Sequence, residues 1–286
     1  MSAGAGARSP TSAATAARRA SLKLRAKLLL RSGSLALVRA ALGPYDPVPR
    51  TLAWRGLELH FRPGSSDPWL LYEHLMKPAY RNEYAPPPQA ALRPDEVRSV
   101  LDIGANIGSS ALYFARLFPH ATVYAFEPVP DNFTLLARNA ANCRRIRTFP
   151  FGLGSQDASV ELMASDHAVN FGGYSRYPAG SDPARRVRVA FRAVGAVLRE
   201  LALERVDVIK IDTEGAEYDI LTAVPESVLR SARLITGELH GERDFALLEY
   251  LSQWFDVGAR KHLRSRRFNF QAVPKQSPSA PGKACR

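Results

Sequence analysis

The stretch V-L-D-I-G-A-N-I-G-S-S-A-L-Y-F-A-R-L-F-P-H-A-T-V-Y-A-F-E-P, residues 100–128, leaves the chain few folds to choose from. Val100, Leu101 and Ile103 form a short apolar run of the kind a strand buried on both faces requires, and Asp102 interrupts it. Gly104 and Gly108 bracket a tight turn, where glycine permits unusual dihedrals and close backbone approach. A helix is predicted to start at Ser109 and Ser110, continue through Arg116 and end at Pro119. Ala121 to Phe126 is a second strand with Glu127 at its carboxyl end. An acid about 20 residues past a glycine turn is where a nucleotide-binding unit grips a ribose.

The turn reads G-x-N-x-G, with Asn106 at the centre. A dinucleotide pyrophosphate needs a glycine there so that the backbone can approach it. A side chain at that point favours a smaller nucleoside ligand without phosphates. S-adenosylmethionine is such a ligand. Ionised Glu127 can accept from both ribose hydroxyls, Asp102 can meet the ammonium, and the helix amino terminus suits the carboxylate.

Downstream, Asp131 to Asn142 reads as a helix and Arg145 to Phe151 as a third strand. The strand runs into Gly152-Leu153-Gly154-Ser155-Gln156-Asp157, a predicted loop from which Gln156 or Asp157 would reach the adenine. Met163 to Arg185 shows no regular period and is predicted to be a substrate-facing lid. Val187 to Phe191 is a strand and Ala193 to Leu203 a helix. Val206 to Ile211 is the most buried-looking strand of the chain, and a helix running to Ala223 follows it. Then come strand Leu234 to Leu239, helix Phe245 to Trp254, and two adjacent strands, Phe255 to Ala259 and Arg266 to Val273. Adjacent strands imply a hairpin, hence an antiparallel edge on a parallel sheet.

A second acidic cluster, Asp212, Glu214 and Glu217, follows the buried strand, and Lys210, Glu238 and His240 crowd the same sheet edge. Alkyl transfer from a sulfonium needs its acceptor held in line with the methyl group, which proximity rewards with roughly 7–11 kcal/mol. An alcohol acceptor must also lose a proton, to which a positioned base contributes roughly 10²–10⁴-fold. Asp212 and His240 are the base candidates. Glu217 is expected to be a solvated helix residue. Asp212 and Glu238 offer hard oxygens to a divalent metal, although no spacing here indicates a metal site.

Charge is unevenly placed. Of the formal +12, residues 1–55 carry +9 and residues 257–286 carry +8, leaving −5 for residues 56–256. Arg18 to Leu42 is predicted to be one basic helix, with Arg19, Lys23, Lys27 and Arg31 on one face and Leu24, Leu28, Leu35 and Val38 opposite. Such a helix suits peripheral contact with a membrane surface, and an acid-poor, Arg- and Ser-rich start also resembles an organelle transit peptide. No apolar run is long enough to span a bilayer. Cys143 and Cys285 form neither a disulfide framework nor a zinc spacing, which fits a reducing, cytoplasmic compartment. Leu52 to Phe61 is a predicted hairpin about Gly56, and Trp69 to Met76 a helix opened by Pro68. The expected organisation is a basic segment (1–50), an amino-terminal subdomain (51–92), a main domain (93–273) and a disordered tail (274–286).

Val100 to Gly108, F-E-P-V-P-D-N-F (Phe126 to Phe133) and I-K-I-D-T-E-G-A-E (Ile209 to Glu217) together resemble the FkbM-type S-adenosylmethionine-dependent methyltransferases. The resemblance covers roughly Val97 to Val273, and Asp67 and the Tyr84 stretch look like the lead-in of members acting on glycans or secondary metabolites. It implies an α/β, Rossmann-like fold with a mostly parallel seven-stranded sheet, and O-methylation of a hydroxyl on a small-molecule or glycan acceptor. It implies cofactor binding by Asp102, Gly104, Asn106, Gly108 and Glu127, and places Asp212 and Glu214 near the acceptor. Many members carry Leu-Asp before the helix leading to the buried strand; Arg192-Ala193 stands there instead, which implies a different acceptor. The alternatives are an NAD(P)-binding oxidoreductase and a non-catalytic methyltransferase-like module. Nucleic acid is not an expected partner, since aromatic and basic residues do not interleave as base stacking requires.

Overall fold

A computed structural model describes residues 25–164, 174–175, 186–240, 243–261 and 268–275. Helix α1 (25–32) and helix α2 (Leu35–Leu42) replace the single helix expected over this stretch, of which residues 18–24 lie outside those described. Gly33 turns the chain at φ +66°, and the Ser34 hydroxyl caps α2 by accepting from the Leu37 N–H at 3.1 Å. Strands β1 (Arg50–Trp54) and β2 (Leu57–Phe61) form the expected hairpin, with Arg55 and Gly56 at positive φ in its two-residue turn. Helix α3 (Asp67–Leu71) is anchored by Arg62, which donates to both oxygens of the buried Asp67 carboxylate at 2.7 and 3.0 Å. The expected Trp69–Met76 helix loosens into a π turn at Tyr72–Met76, a widening often found at functional sites. It carries His74.

The main unit runs β3 (Ser99–Ile103), α4 (Ser109–Leu117), β4 (Thr122–Phe126), α5 (Pro130–Ala140) and β5 (Ile146–Phe149). The chain continues through β6 (Gly152–Gly154), β7 (Ala158–Ala164), β8 (Tyr174–Ser175), β9 (Arg186–Ala193) and α6 (Val194–Glu200). It closes with β10 (Val208–Ile211), α7 (Glu217–Ala223), α8 (Glu226–Ser231), β11 (Leu234–Leu239), α9 (Asp244–Leu251), β12 (Phe255–Lys261) and β13 (Phe268–Pro274). The seven-stranded sheet has the order β12-β13-β11-β10-β3-β4-β5. Strand β13 lies antiparallel to both neighbours and the β11-β10-β3-β4-β5 pairs are parallel. This is the Rossmann-like sheet with a carboxy-terminal antiparallel hairpin that the motifs imply.

One expectation is corrected: residues 152–157 are not all loop. The expected strand at 187–191 is present and belongs to a second sheet. Gly152–Gly154 pairs parallel with Phe191–Ala193, and Ala158–Met163 pairs antiparallel with Arg186–Phe191, in a second sheet ordered β6-β9-β7-β8. The seven residues of β7 alternate weakly, and Leu162 meets Val129 and Val189 only after the chain folds back. Of the predicted lid, residues 163–164 and 174–175 fall in β7 and β8, and the rest lies outside the described residues.

Strand alternation splits the core between the two sheet faces. Val100 and Val208 pack with Ile107, Leu112 and Leu135, and the same cluster takes in Leu28, Leu37, Trp54, Leu59, Leu71 and Tyr84 from the amino-terminal segment. Leu101, Ile103, Ile209 and Ile211 pack on the other face with Leu198, Ile220 and Leu247. The amino-terminal segment therefore covers one face of the main sheet and reaches its carboxyl edge.

Candidate active site

Strands β3 and β10 lie side by side where the order of the sheet reverses, the place at which open α/β sheets form a ligand crevice. At the end of β3 the chain turns at Gly104, φ +76°, and a Cβ there would sit 1.9 Å from the Asp212 carbonyl oxygen. Asn106 also adopts positive φ, and its N–H donates to Glu127 Oε2 at 2.9 Å. The other Glu127 oxygen accepts from the Val129 N–H at 2.9 Å. Burial raises Glu127 to about 7 in spite of these bonds and the nearby Lys210 charge. Asn106 Oδ1 is buried with no partner among the described residues. Gly108, φ +85°, opens α4 where a Cβ would press on Leu136.

Lys210 stands opposite Asp102 in the parallel register. Its buried ammonium lies 3.1 Å from Asp102 and donates to the Gly104 carbonyl at 2.6 Å. Burial would lower Lys210, but Asp102 and Asp212 outweigh it and hold the amine above its usual range. Ser110 donates to the second Asp102 oxygen at 2.7 Å. Asp102 therefore braces the turn from beneath.

Beyond β10 the backbone is strained, with Glu214 at φ +56° and Gly215 at φ +112°. Glu217, 2% exposed, holds this loop by accepting from the N–H groups of Thr213 and Gly215 at 2.9 and 3.0 Å. It is a buried strut, which corrects its expected place in solvent. His240 lies between Glu217, 3.3 Å from Nδ1, and Glu238, 3.0 Å from Nε2, with Asp212 and Glu214 at 3.8 and 3.9 Å. Burial would lower the imidazole, but these four carboxylates raise it to about 11. This environment favours the protonated ring. Asp212, Glu238 and His240 also bring one ligand atom each within 4.8 Å of one another, so a metal ion there would compete with a ring proton.

Tyr84 donates its hydroxyl to Asp212 Oδ2 at 2.9 Å. Burial, together with Asp212 and Glu83, holds its phenol well above the ordinary range, so it remains a donor. His74 lies 2.8 Å from Ser109 Oγ and 3.0 Å from Glu83. Burial would raise Glu83, but His74 and Asn269 bring it down to about 2. Tyr84 and Asp212 are 128 residues apart, so no spacing rule could pair them.

These groups line one cavity of about 670 Å³. Gly104, Asn106, Glu127, Asp212 and Glu214 all reach it, joined by Gln156, Lys210 and Glu238. Asp102, Gly108 and His240 stand behind the wall. Asp157 is not among the residues that line the cavity, and its carboxylate accepts from the Ala193 N–H at 2.7 Å. Trp69, Glu73, His74, Glu83 and Tyr84 also line the cavity; of these the sequence singled out only the Tyr84 stretch, as a family lead-in without a site role.

A family model described as the methyltransferase FkbM domain matches residues 102–270. The chain is 31% identical over 189 residues to the AMB antimetabolite synthetase AmbE of Pseudomonas aeruginosa, covering 54% of this chain and 9% of that protein. It is 30% identical over 192 residues to methyltransferase sdnD of Sordaria araneosa, covering 55% of this chain and 73% of that one. It is 27% identical over 177 residues to the 31-O-demethyl-FK506 methyltransferase FkbM of Streptomyces tacrolimicus, covering 52% and 67% respectively.

Proposed function

The chain belongs to the FkbM methyltransferase family, and from that premise we propose that it is an S-adenosylmethionine-dependent O-methyltransferase acting on a hydroxyl of a sugar, glycan precursor or secondary metabolite. One observation carries the cofactor assignment. Glu127 faces the cavity from the end of β4 and ties down a glycine turn whose Asn106 Oδ1 is buried without a partner. In this reading the Glu127 carboxylate accepts from the ribose hydroxyls, Asn106 Oδ1 takes a donor of the amino-acid end, and Gln156 meets the adenine edge. Asp102 and Gly108 support the turn, and Asp157 fixes the neighbouring strand. The bound cofactor supplies an electrophilic methyl group on a sulfonium.

The acceptor lies toward β10 and β11. Asp212, held by Tyr84, receives the hydroxyl proton, and Glu214 orients the hydroxyl. His240 keeps the carboxylates together without taking a proton. The dinucleotide alternative lacks the middle glycine, since Asn106 occupies it. Calorimetric titration tests the reading. S-adenosylmethionine should bind at micromolar levels and NADH should not, and Glu127→Ala should abolish binding while circular dichroism stays unchanged. Absence of binding to folded wild-type protein would remove the enzyme assignment.

The partner and compartment proposals rest on separate observations. Leu30 is 84% exposed, and Arg25 and Lys27 are exposed on the same helix, which supports peripheral contact with an anionic lipid surface. Co-sedimentation with anionic but not neutral vesicles is the expected result. Among the described residues no helix is long and apolar enough to cross a membrane. A cytoplasmic location is proposed on the free thiol of Cys143.

A further inference from the structure

The cavity has two chemically distinct ends. The nucleoside end is built from glycines, Asn106, Gln156 and one carboxylate, Glu127. The acceptor end carries four carboxylates tied together through Tyr84 and His240: Glu83 beside Tyr84, Asp212 and Glu214 past β10, and Glu238 on β11. Glu73 and Asp219 also line the cavity and are paired with Lys77 and Arg243. Among the described lining residues there is no arginine, and Lys210 is the single lysine. Lys210 is committed to Asp102 and the Gly104 carbonyl. His74 is held between Ser109 and Glu83, and the His240 charge is shared among carboxylates behind the wall. Trp69 and Leu70 add apolar surface to the cavity lining.

We propose that this end of the cavity selects an uncharged or cationic polyhydroxylated acceptor, such as a neutral or amino sugar, and excludes carboxylate, sulfate and phosphate groups. The inference rests on the methyl-transfer reading and names the acceptor class for that site. Carboxylates accept hydrogen bonds and cannot donate them, so they match hydroxyl and ammonium groups. An anion entering would lose part of its hydration and meet like charges. Trp69 offers a face to the apolar side of a sugar ring. Glu73 and Glu83 come from the amino-terminal segment, outside the residues matched by the family model, and Asp212, Glu214 and Glu238 from within them.

Collisional quenching of Trp69 fluorescence tests the proposal without a known acceptor. The Trp69 share is the difference between wild type and Trp69→Phe, with caesium, iodide and acrylamide as cationic, anionic and neutral quenchers. Relative to free tryptophan amide, iodide should quench roughly fivefold less than acrylamide, and caesium at least as well as acrylamide. Glu73→Gln/Glu214→Gln should restore iodide quenching. Iodide acting as well as acrylamide, or Trp69 reached by neither, would overturn the proposal. Binding of S-adenosylmethionine is measured on the same samples. Loss of that binding with iodide still excluded would remove the cofactor reading and leave the charge selection standing. With methyl-labelled cofactor, label on glucose or glucosamine supports the class, and preferential label on glucuronate or glucose 6-phosphate overturns it.

Discussion

Lys210 and Asp102 face each other across two parallel strands with their charges 3.1 Å apart. Removing one partner leaves the other charge buried alone. Lys210→Met should lower unfolding free energy by roughly 3–5 kcal/mol in urea titration, and Asp102→Asn/Lys210→Met should recover much of it. Equal losses in the single and double variants would show that the pair is not what holds the turn. Glu127 sets a pH dependence whose sign is opposite to that of an ordinary surface carboxylate. Its folded value, about 7, lies above the ordinary 4.5. The folded chain therefore keeps a proton that the unfolded chain loses, and stability contributed by this group falls as pH rises from 4.5 toward 7. Ribose hydroxyls need the ionised form as acceptor. S-adenosylmethionine affinity should therefore be flat above about pH 7 and weaken about tenfold per unit below it, as calorimetry across that range would read.

At the scale of elements, the ends of β3, β10 and β11 bring the chemistry together, and the segment after α3 closes over them. The π turn presents His74, and the chain beyond it delivers Tyr84 to Asp212. A hydrogen bond to a charged group contributes roughly 1.5–3 kcal/mol. Tyr84→Phe should therefore lower kcat about tenfold or more while leaving S-adenosylmethionine affinity unchanged, since the phenol touches the acceptor side only. A variant that lost cofactor binding and turnover together would show Tyr84 to be a packing residue.

For the whole molecule, the amino-terminal segment and the sheet share one apolar core. Deleting residues 1–92 would expose Val100, Ile107 and Leu112 to water. The truncated chain should lose cooperative thermal unfolding and bind a hydrophobic dye, whereas a sharp transition would mark residues 93–275 as self-sufficient. The acidic body also has a consequence at this scale. Residues 56–256 carry a net −5, and the sulfonium cofactor is a cation, so the overall field favours its approach.

The main-domain framework was legible in the chain because it rests on local patterns. Apolar runs of strand length, a glycine turn that must hold positive φ, helix starts and a carboxylate at a strand end are encoded within a few residues of one another. Gly104, Asn106, Glu127 and Asp212 could be named for that reason. The second sheet was not legible, because β7 alternates only weakly and its residues Leu162 and Val160 pack only against Val189 and its neighbours once the chain has folded back. Only the tertiary structure decided that Asp102 is paired with Lys210, that Glu217 is a buried strut, that His240 sits among four carboxylates, and that Tyr84 reaches Asp212. Charge state and hydrogen-bond partnership depend on burial and on neighbours far along the chain, and neither is a property of a residue and its spacing.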